Sequence, residues 1–274
     1  MNRLFRTFAC LLLLAPAVVC AQVIPLQVEV VDNTALIRVG TGDVPLMDVR
    51  LDFDDASGLT PAAIGHGAKT ISVTAPSILA RLPSTGVTIP SSLPVMVTVE
   101  PPLLGGLSFD RRVHVEVHTH LLTYTAGSRY RLFKSPLGGA FRDVTGSVQP
   151  GSVRTRGTTG GFSQFLVVRD LRPTGDVVAE KIAWLRDRVA LLTPSEAAPL
   201  YTRLNAVEAA VAAHNWPAAM NAIEGARVRV ANRAGIHIAQ TWSADGSTTN
   251  HAGELLAGLD TLEFSVGFLR DFGP

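Results

Sequence analysis

The hydrophobic period changes once along this chain, near residue 175, and that change limits it to folds that keep strands and helices apart. From Val23 to Arg172 apolar residues alternate in short runs such as "LQVEV", "ALIRV", "DVRLDF", "TISVT", "VMVTV", "VHVEV" and "FLVV". Successive side chains of a strand point to opposite faces, so a period of two describes strands with one buried face. Turn formers stand between the runs, at Asp32-Asn33, Gly40 to Asp43, Pro101-Pro102, Gly105-Gly106, Gly138-Gly139 and Gly160-Gly161. Short strands punctuated in this way predict an antiparallel sandwich or barrel. "APSILARLP", Ala75 to Pro83, interrupts them with spacing suited to a single helical turn.

Beyond Pro173 the spacing becomes helical. Val178, Ile182, Leu185, Val189 and Leu192 follow steps of four and three, which puts one apolar stripe on a first helix. "TPSE", Thr193 to Glu196, offers a capping box in which the Thr193 hydroxyl accepts from the Glu196 amide, with Pro194 in the first helical position. Pro199 sits awkwardly inside this second helix and is a second candidate for its start; Leu200, Leu204, Val207 and Val211 form its stripe. Asn215 is placed to cap a third helix bearing Ala219, Ile223, Ala226 and Val230, and Gly235 to end it. A last helix from about Ala252, with Leu255, Leu259, Leu262 and Val266, follows the polar loop "SADGSTTN". Short links between amphipathic helices predict antiparallel neighbours, hence a small bundle. The expected fold is α+β with segregated parts: an all-β antiparallel sandwich over 22–173, with a break near 100–106 where its strands can divide into two groups, and a helical bundle over 174–274.

Residues 1–21 carry a different message. Arg3 and Arg6 precede the apolar run "FACLLLLAPAVV", and Val19-Cys20-Ala21 offers a cleavage site. This is the pattern of a secretory signal peptide cut after Ala21, so the chain is expected to be exported, to the periplasm or the extracellular space. Bulky Val19 just before Cys20 argues against a lipid-anchored cysteine. Both cysteines, Cys10 and Cys20, lie in this leader, which excludes thiol nucleophiles and thiolate zinc sites from the mature chain. Exported domains without disulfides must bury enough apolar surface to stand alone. Without Arg3 and Arg6, 22 Lys and Arg face 23 Asp and Glu. Such scattered, balanced charge leaves no electrostatic footprint for nucleic acid. No later segment approaches the roughly 20 apolar residues of a membrane helix, so no membrane span is expected in the mature chain.

The helical half contains "VAEKIAWLRDRVALL", then "LYTRLNAVEAAVAAHNWPAAMNAIEGARVRVANRAG", then "HAGELLAGLDTL". From about Asp176 to Leu262 these stretches, through their Leu-x-x-Ala-type spacing and the Asn215 turn, resemble the FIMAH type of helical module found at the ends of exported bacterial proteins. "GSVRTRGTTGGFSQFLVVRD" is similar to the last strand of β-sandwich surface domains that stand before such modules, and the order of the two parts resembles a group of small exported bacterial proteins. The resemblance implies architecture and location. It brings no catalytic residue with it.

One stretch looks like chemistry. "HVEVHTH", 114 to 120, places His114, Glu116, His118 and His120 on one face of a strand and Val115, Val117 and Thr119 on the other. Same-face neighbours stand about 6.5 Å apart, so His114 and His120 are separated by roughly 20 Å and cannot share an ion. Glu116 with His118, or His118 with His120, could chelate zinc if another strand supplied a further ligand such as His66 or Asp110. The competing account is the solvated face of an ordinary outer strand. In "LDFDDASG", Asp52 and Asp54 share a face and could offer oxygen ligands to calcium, but Ala56 breaks the spacing of a calcium loop. A charged strand end, with Asp55 beginning a turn, accounts for the same residues.

Other patterns fail. "GFSQF" has Phe165 where a nucleophile elbow needs glycine, leaving Ser163 an ordinary strand hydroxyl. "GTTGG", 157 to 161, leads into a strand rather than a helix and is expected to be a hairpin turn. Sugar recognition favours exposed aromatic platforms. Trp184, Trp216 and Trp242 all fall in the helical half, where Trp184 and Trp216 are expected to pack between helices. The expected function is therefore that of an exported, non-catalytic structural or binding protein that docks a cell-surface polymer or another envelope protein. A zinc or calcium module, or a metal-dependent hydrolase using the 114–120 strand, is the alternative.

Overall fold

The computed structural model describes residues 22–42 and 44–273; the expected leader, with Cys10 and Cys20, lies outside the described residues. In chain order the strands are β1 (Leu26–Val31), β2 (Thr34–Val39), β3 (Met47–Ser57), β4 (His66–Thr70), β5 (Val87–Thr88), β6 (Val95–Val99), β7 (Ser108–Thr123), β8 (Tyr130–Ser135), β9 (Arg142–Asp143), β10 (Thr145–Gln149), β11 (Ser152–Thr159), β12 (Ser163–Asp170) and β13 (Thr241–Ser243). The helices are α1 (Pro76–Leu79), α2 (Thr174–Val189), α3 (Pro194–Ala212), α4 (Trp216–Arg233) and α5 (His251–Phe272). The result is a mixed α+β fold, antiparallel sheets first and helices after them. One sheet runs β1-β2-β3-β7-β11-β10, with β13 also on β7; the other runs β4-β6-β12-β8-β9, with β5 also on β12. The break near 100–106 is one of the places where the chain passes from one sheet to the other.

The inward faces of both sheets meet in one core. Val49, Leu51, Val113, Val115 and Val117 come from the first sheet, and Val95, Val97, Val99, Leu132, Phe165 and Val167 from the second. Each such side chain contributes about 1.5–3 kcal/mol on burial, so this core outweighs any single polar contact. The second sheet is covered on its other face as well, where Met96, Phe133, Leu166 and Val168 pack with Ile71, Leu82, Val87 and Ile89. A strand buried on both faces has no reason to alternate, which accounts for the continuous run "FLVV". "TISVT" departs from expectation: β4 ends at Thr70, and Ile71 instead joins this outer cluster.

The expected helical stripes are buried together. Two local expectations need correction. The Thr193 hydroxyl makes no capping bond; the Glu196 amide donates to the Thr193 carbonyl instead, and the Glu196 carboxylate accepts from Arg229 and Arg233. Pro199 lies inside α3 rather than at its start, and the Ser195 carbonyl, deprived of a helical donor, accepts from Arg229 at 3.4 Å. Asn215 caps α4 through Ala218 N at 3.2 Å, and Asn250 caps α5 through Gly253 N at 2.7 Å. α5 packs on α2 and α4 and also on β7, β10 and β11. No helix among the described residues is long and apolar enough to cross a membrane.

Candidate functional site

The 114–120 row takes the alternation expected of it: Val113, Val115, Val117 and Thr119 are buried, and the His and Glu side chains face out. Neighbouring strands then neutralise the row. Register sets Arg154 of β11 beside His118 and Arg156 beside Glu116. Arg154 donates to Glu116 Oε1 at 3.0 Å, and Arg156 pairs with the other oxygen. His118 Nε2 lies 2.5 Å from Ser152 Oγ, and burial, Arg154 and His120 hold its imidazole below the ordinary value. The His118 and His120 rings stand 4.7 Å apart. The partners considered for them lie elsewhere: His66 is on β4 in the other sheet, and Asp110 accepts from Gln240 and Thr241.

The acidic pair is likewise engaged. Asp52 accepts from Thr34 at 2.7 Å and from Arg50, while Asp54 accepts from Arg112 and meets His114. Burial alone would raise the Asp54 carboxyl, but His114 and Arg112 outweigh it and bring it down to about 2. Asp55 does not begin a turn: β3 continues to Ser57 past a bulge, and the chain turns at Gly58. Among the described residues no group of three His, Cys, Asp or Glu side chains could hold one metal ion. A groove of about 860 Å³ above this face is lined by four arginines and four carboxylates, each arginine ion-paired.

A different concavity, of about 770 Å³, opens at the seam between sheets and helices. "GTTGG" builds its floor, and not as a hairpin turn: β11 belongs to the first sheet and β12 to the second, so the glycines carry the chain across. A Cβ on Gly160 would lie 2.4 Å from Glu254 N and 2.6 Å from Gly253 C, so glycine there lets the first turn of α5 sit on the link. α2 supplies one wall through Glu180, Trp184 and Arg188, spaced by four on one face. Gly258 admits that wall, because a Cβ there would meet Trp184 at 2.5 Å. Trp242 supplies the facing wall. It is not part of the helical packing: β13 pairs with β7, and the indole stacks on Phe109 with 5.2 Å between ring centroids.

Charge in this cleft is uneven. Lys134 of β8 donates to Thr159 Oγ1 at 2.5 Å and to Glu254 Oε1 at 3.4 Å, and Arg142 of β9 donates to Glu254 Oε2 at 3.0 Å. Burial brings the Lys134 amine down to about 8, with Glu254 opposing and Arg142 assisting. Lys134 and Arg142 keep the buried Glu254 carboxyl below its ordinary value against the cost of burial. Arg142 lies 3.9 Å from the Trp184 ring centroid and Arg188 5.5 Å from it. The Arg188 Nε is buried without a hydrogen-bond partner, and among the described residues Arg188 has no ion pair. His251 is held low by burial and then by Arg188. Glu180, which also lines the cleft, is ion-paired with Arg172, so of the two lining carboxylates only Glu254 pairs with the cleft cations Lys134 and Arg142. Below it the seam is sealed by Lys181 Nζ and Asp143 Oδ2, 3.0 Å apart and almost wholly buried.

Such a site offers cationic donors, two carboxylate acceptors of which Glu180 is shared with Arg172, and two indole walls, an inventory suited to holding a polar ring that carries negative charge. Sequence reasoning missed it. The signal available was the Glu180, Trp184, Arg188 stripe beside the apolar stripe of α2, although Trp184 also packs against the helical core, as expected. No curated protein and no solved structure matches the chain. Residues 9–270 match one family, described as a family of unknown function, and the chain belongs to that family, DUF6689.

Proposed function

We propose that this is an exported, non-catalytic binding protein of the cell envelope or extracellular space, and that its ligand enters the cleft between Trp184 and Trp242. The observation that carries this reading is Arg188, a cation at an aromatic-walled cavity with no anion set against it among the described residues. A half-buried cation with a free donor at a concave, aromatic-walled site is a candidate ligand position. The architecture that goes with it is a β-sandwich over 22–173 and a helical bundle over 174–274, of the FIMAH kind across 176–262. Shared cores between the sheets and among the helices support both. The expected partner is a cell-surface polymer, with another envelope protein as the competing partner.

Thermal unfolding with short neutral and acidic oligosaccharides and with inorganic phosphate tests the cleft. A ligand bound only by the folded chain raises Tm by mass action. The rise should vanish in Trp242→Ala and Arg188→Ala; a rise that survives both substitutions places the ligand elsewhere. The 4.7 Å approach of His118 and His120 favours one second reading, a two-histidine metal site. It predicts near-stoichiometric zinc in the purified chain that a His118→Ala, His120→Ala double variant loses.

A further inference from the structure

We infer that the cleft takes a sugar ring bearing a single carboxylate, a hexuronate unit of an acidic polysaccharide; this rests on the cleft being the ligand site. Three features select the class. The first is the donor set. Arg142 and Arg188 hold guanidinium groups against the same indole, Trp184, and a planar guanidinium presents paired N–H donors that match a carboxylate. Arg142 already spends one donor on Glu254, whereas Arg188 has no anion, so Arg188 is the natural seat for the incoming charge.

The second feature is Glu254. Its carboxylate shares the cleft with the cations and is kept ionised by Lys134 and Arg142. An ionised carboxylate accepts hydrogen bonds and donates none, so it calls for a ligand with hydroxyl groups. It also repels a second negative charge, which disfavours a compact dianion such as phosphate relative to a hydroxylated monoanion.

The third feature is the opposite wall. Trp242 has its indole Cδ1–Nε1 edge 3.3 Å from the position a Cβ on Gly161 would take, and glycine keeps that edge open to the cavity. Thr248 and Thr249 line the same cavity. An aromatic wall with a polar edge meets the C–H surface of a sugar ring while donating to its hydroxyls. The volume of about 770 Å³ has room for one or two rings, within the range of about 300–1,000 Å³ usual for small-ligand sites.

The test is calorimetric titration of the chain from Gln22 with digalacturonate, with the neutral disaccharide digalactose, and with inorganic phosphate, repeated on Arg188→Ala and Arg188→Lys. Digalacturonate should bind, and digalactose should bind at least about tenfold more weakly, since the neutral sugar forfeits the charge-assisted contact to the half-buried Arg188. Arg188→Ala should lose about tenfold or more in affinity for digalacturonate, and Arg188→Lys should recover part of it, with Tm unchanged in both. Equal binding of both disaccharides overturns the uronate assignment and leaves the cleft as a neutral-sugar site. Binding of phosphate with neither sugar overturns it and leaves the cleft as an anion site. If no probe binds, the uronate assignment fails, and the cleft reading fails with it if Trp242→Ala is also without effect on every Tm shift found in the wider panel.

Discussion

The outward row of β7 and the cleft at the seam hold the same kinds of side chain, arginine, histidine and glutamate, and are used in opposite ways. On β7, neighbouring strands supply complements to the carboxylates, so Glu116 is matched by Arg154 and Arg156 and Asp54 of β3 by Arg112 and His114. In the cleft, segments far apart in sequence converge, and the complement is incomplete: Lys134 and Arg142 share Glu254, Glu180 goes to Arg172, and Arg188 is left without an ion pair among the described residues. A dense charged motif therefore says little about binding until its partners are counted. Residual charge at a concave site is the more telling signal.

The contrast can be broken at its most buried point. Lys181→Ala removes the partner of Asp143, leaving a carboxylate almost wholly buried between β9 and α2. The expected loss is about 3–5 kcal/mol in urea unfolding. Glu116→Ala on the β7 row, whose arginines are 40% and 45% exposed, should lose about 1 kcal/mol or less. Equal losses would mean the two regions are not different in kind.

Lys134 provides the next largest effect. Its native value of about 8 lies below the 10.5 of an unperturbed lysine. Between those values the unfolded chain holds a proton that the native chain has released, so this group makes stability rise with pH across that window, by roughly 3 kcal/mol at most. Burial sets this shift; Glu254 and Glu100 oppose it, and Arg142 adds to it. The slope of stability against pH from 8 to 10 should be more positive in the native chain than in Lys134→Met. Anion affinity should run the other way, weakening as pH rises through about 8 while the arginines stay charged.

Gly160→Ala sharpens the role of the crossing link. Its methyl would strike the backbone at Gly253 and Glu254, and shifting α5 to make room should cost about 1–3 kcal/mol and reduce ligand binding. Smallest of all should be the His118→Ala, His120→Ala pair, which on an outward strand face should change stability by about 0.5 kcal/mol or less. A larger change, or one that appears only with zinc, would return the row to consideration as a metal site.

What could be seen in advance follows from how local each feature is. Strand alternation and helical stripes are local periods, so Val113, Val115 and Val117 and the stripes of α2, α4 and α5 could be placed from spacing alone. Caps were legible where the side chain acts on its own turn, as at Asn215, and misleading at Thr193, where the Glu196 amide donates to the Thr193 carbonyl rather than its hydroxyl. Register and sheet membership are not local. Nothing in "GTTGG" tells a hairpin from a crossing, and nothing near Trp242 announces that three residues of the helical half pair with β7. The cleft depends on both, and so it could not be assembled from motifs.

The most direct test of the cleft as the ligand site uses the three tryptophans as reporters. Trp184 and Trp242 line the cleft, whereas Trp216 opens α4 beside His214. In a titration of ¹⁵N-labelled chain with digalacturonate, the indole N–H signals of Trp184 and Trp242 should move together and saturate while Trp216 stays in place. Binding that leaves Trp184 and Trp242 unmoved would contradict the account.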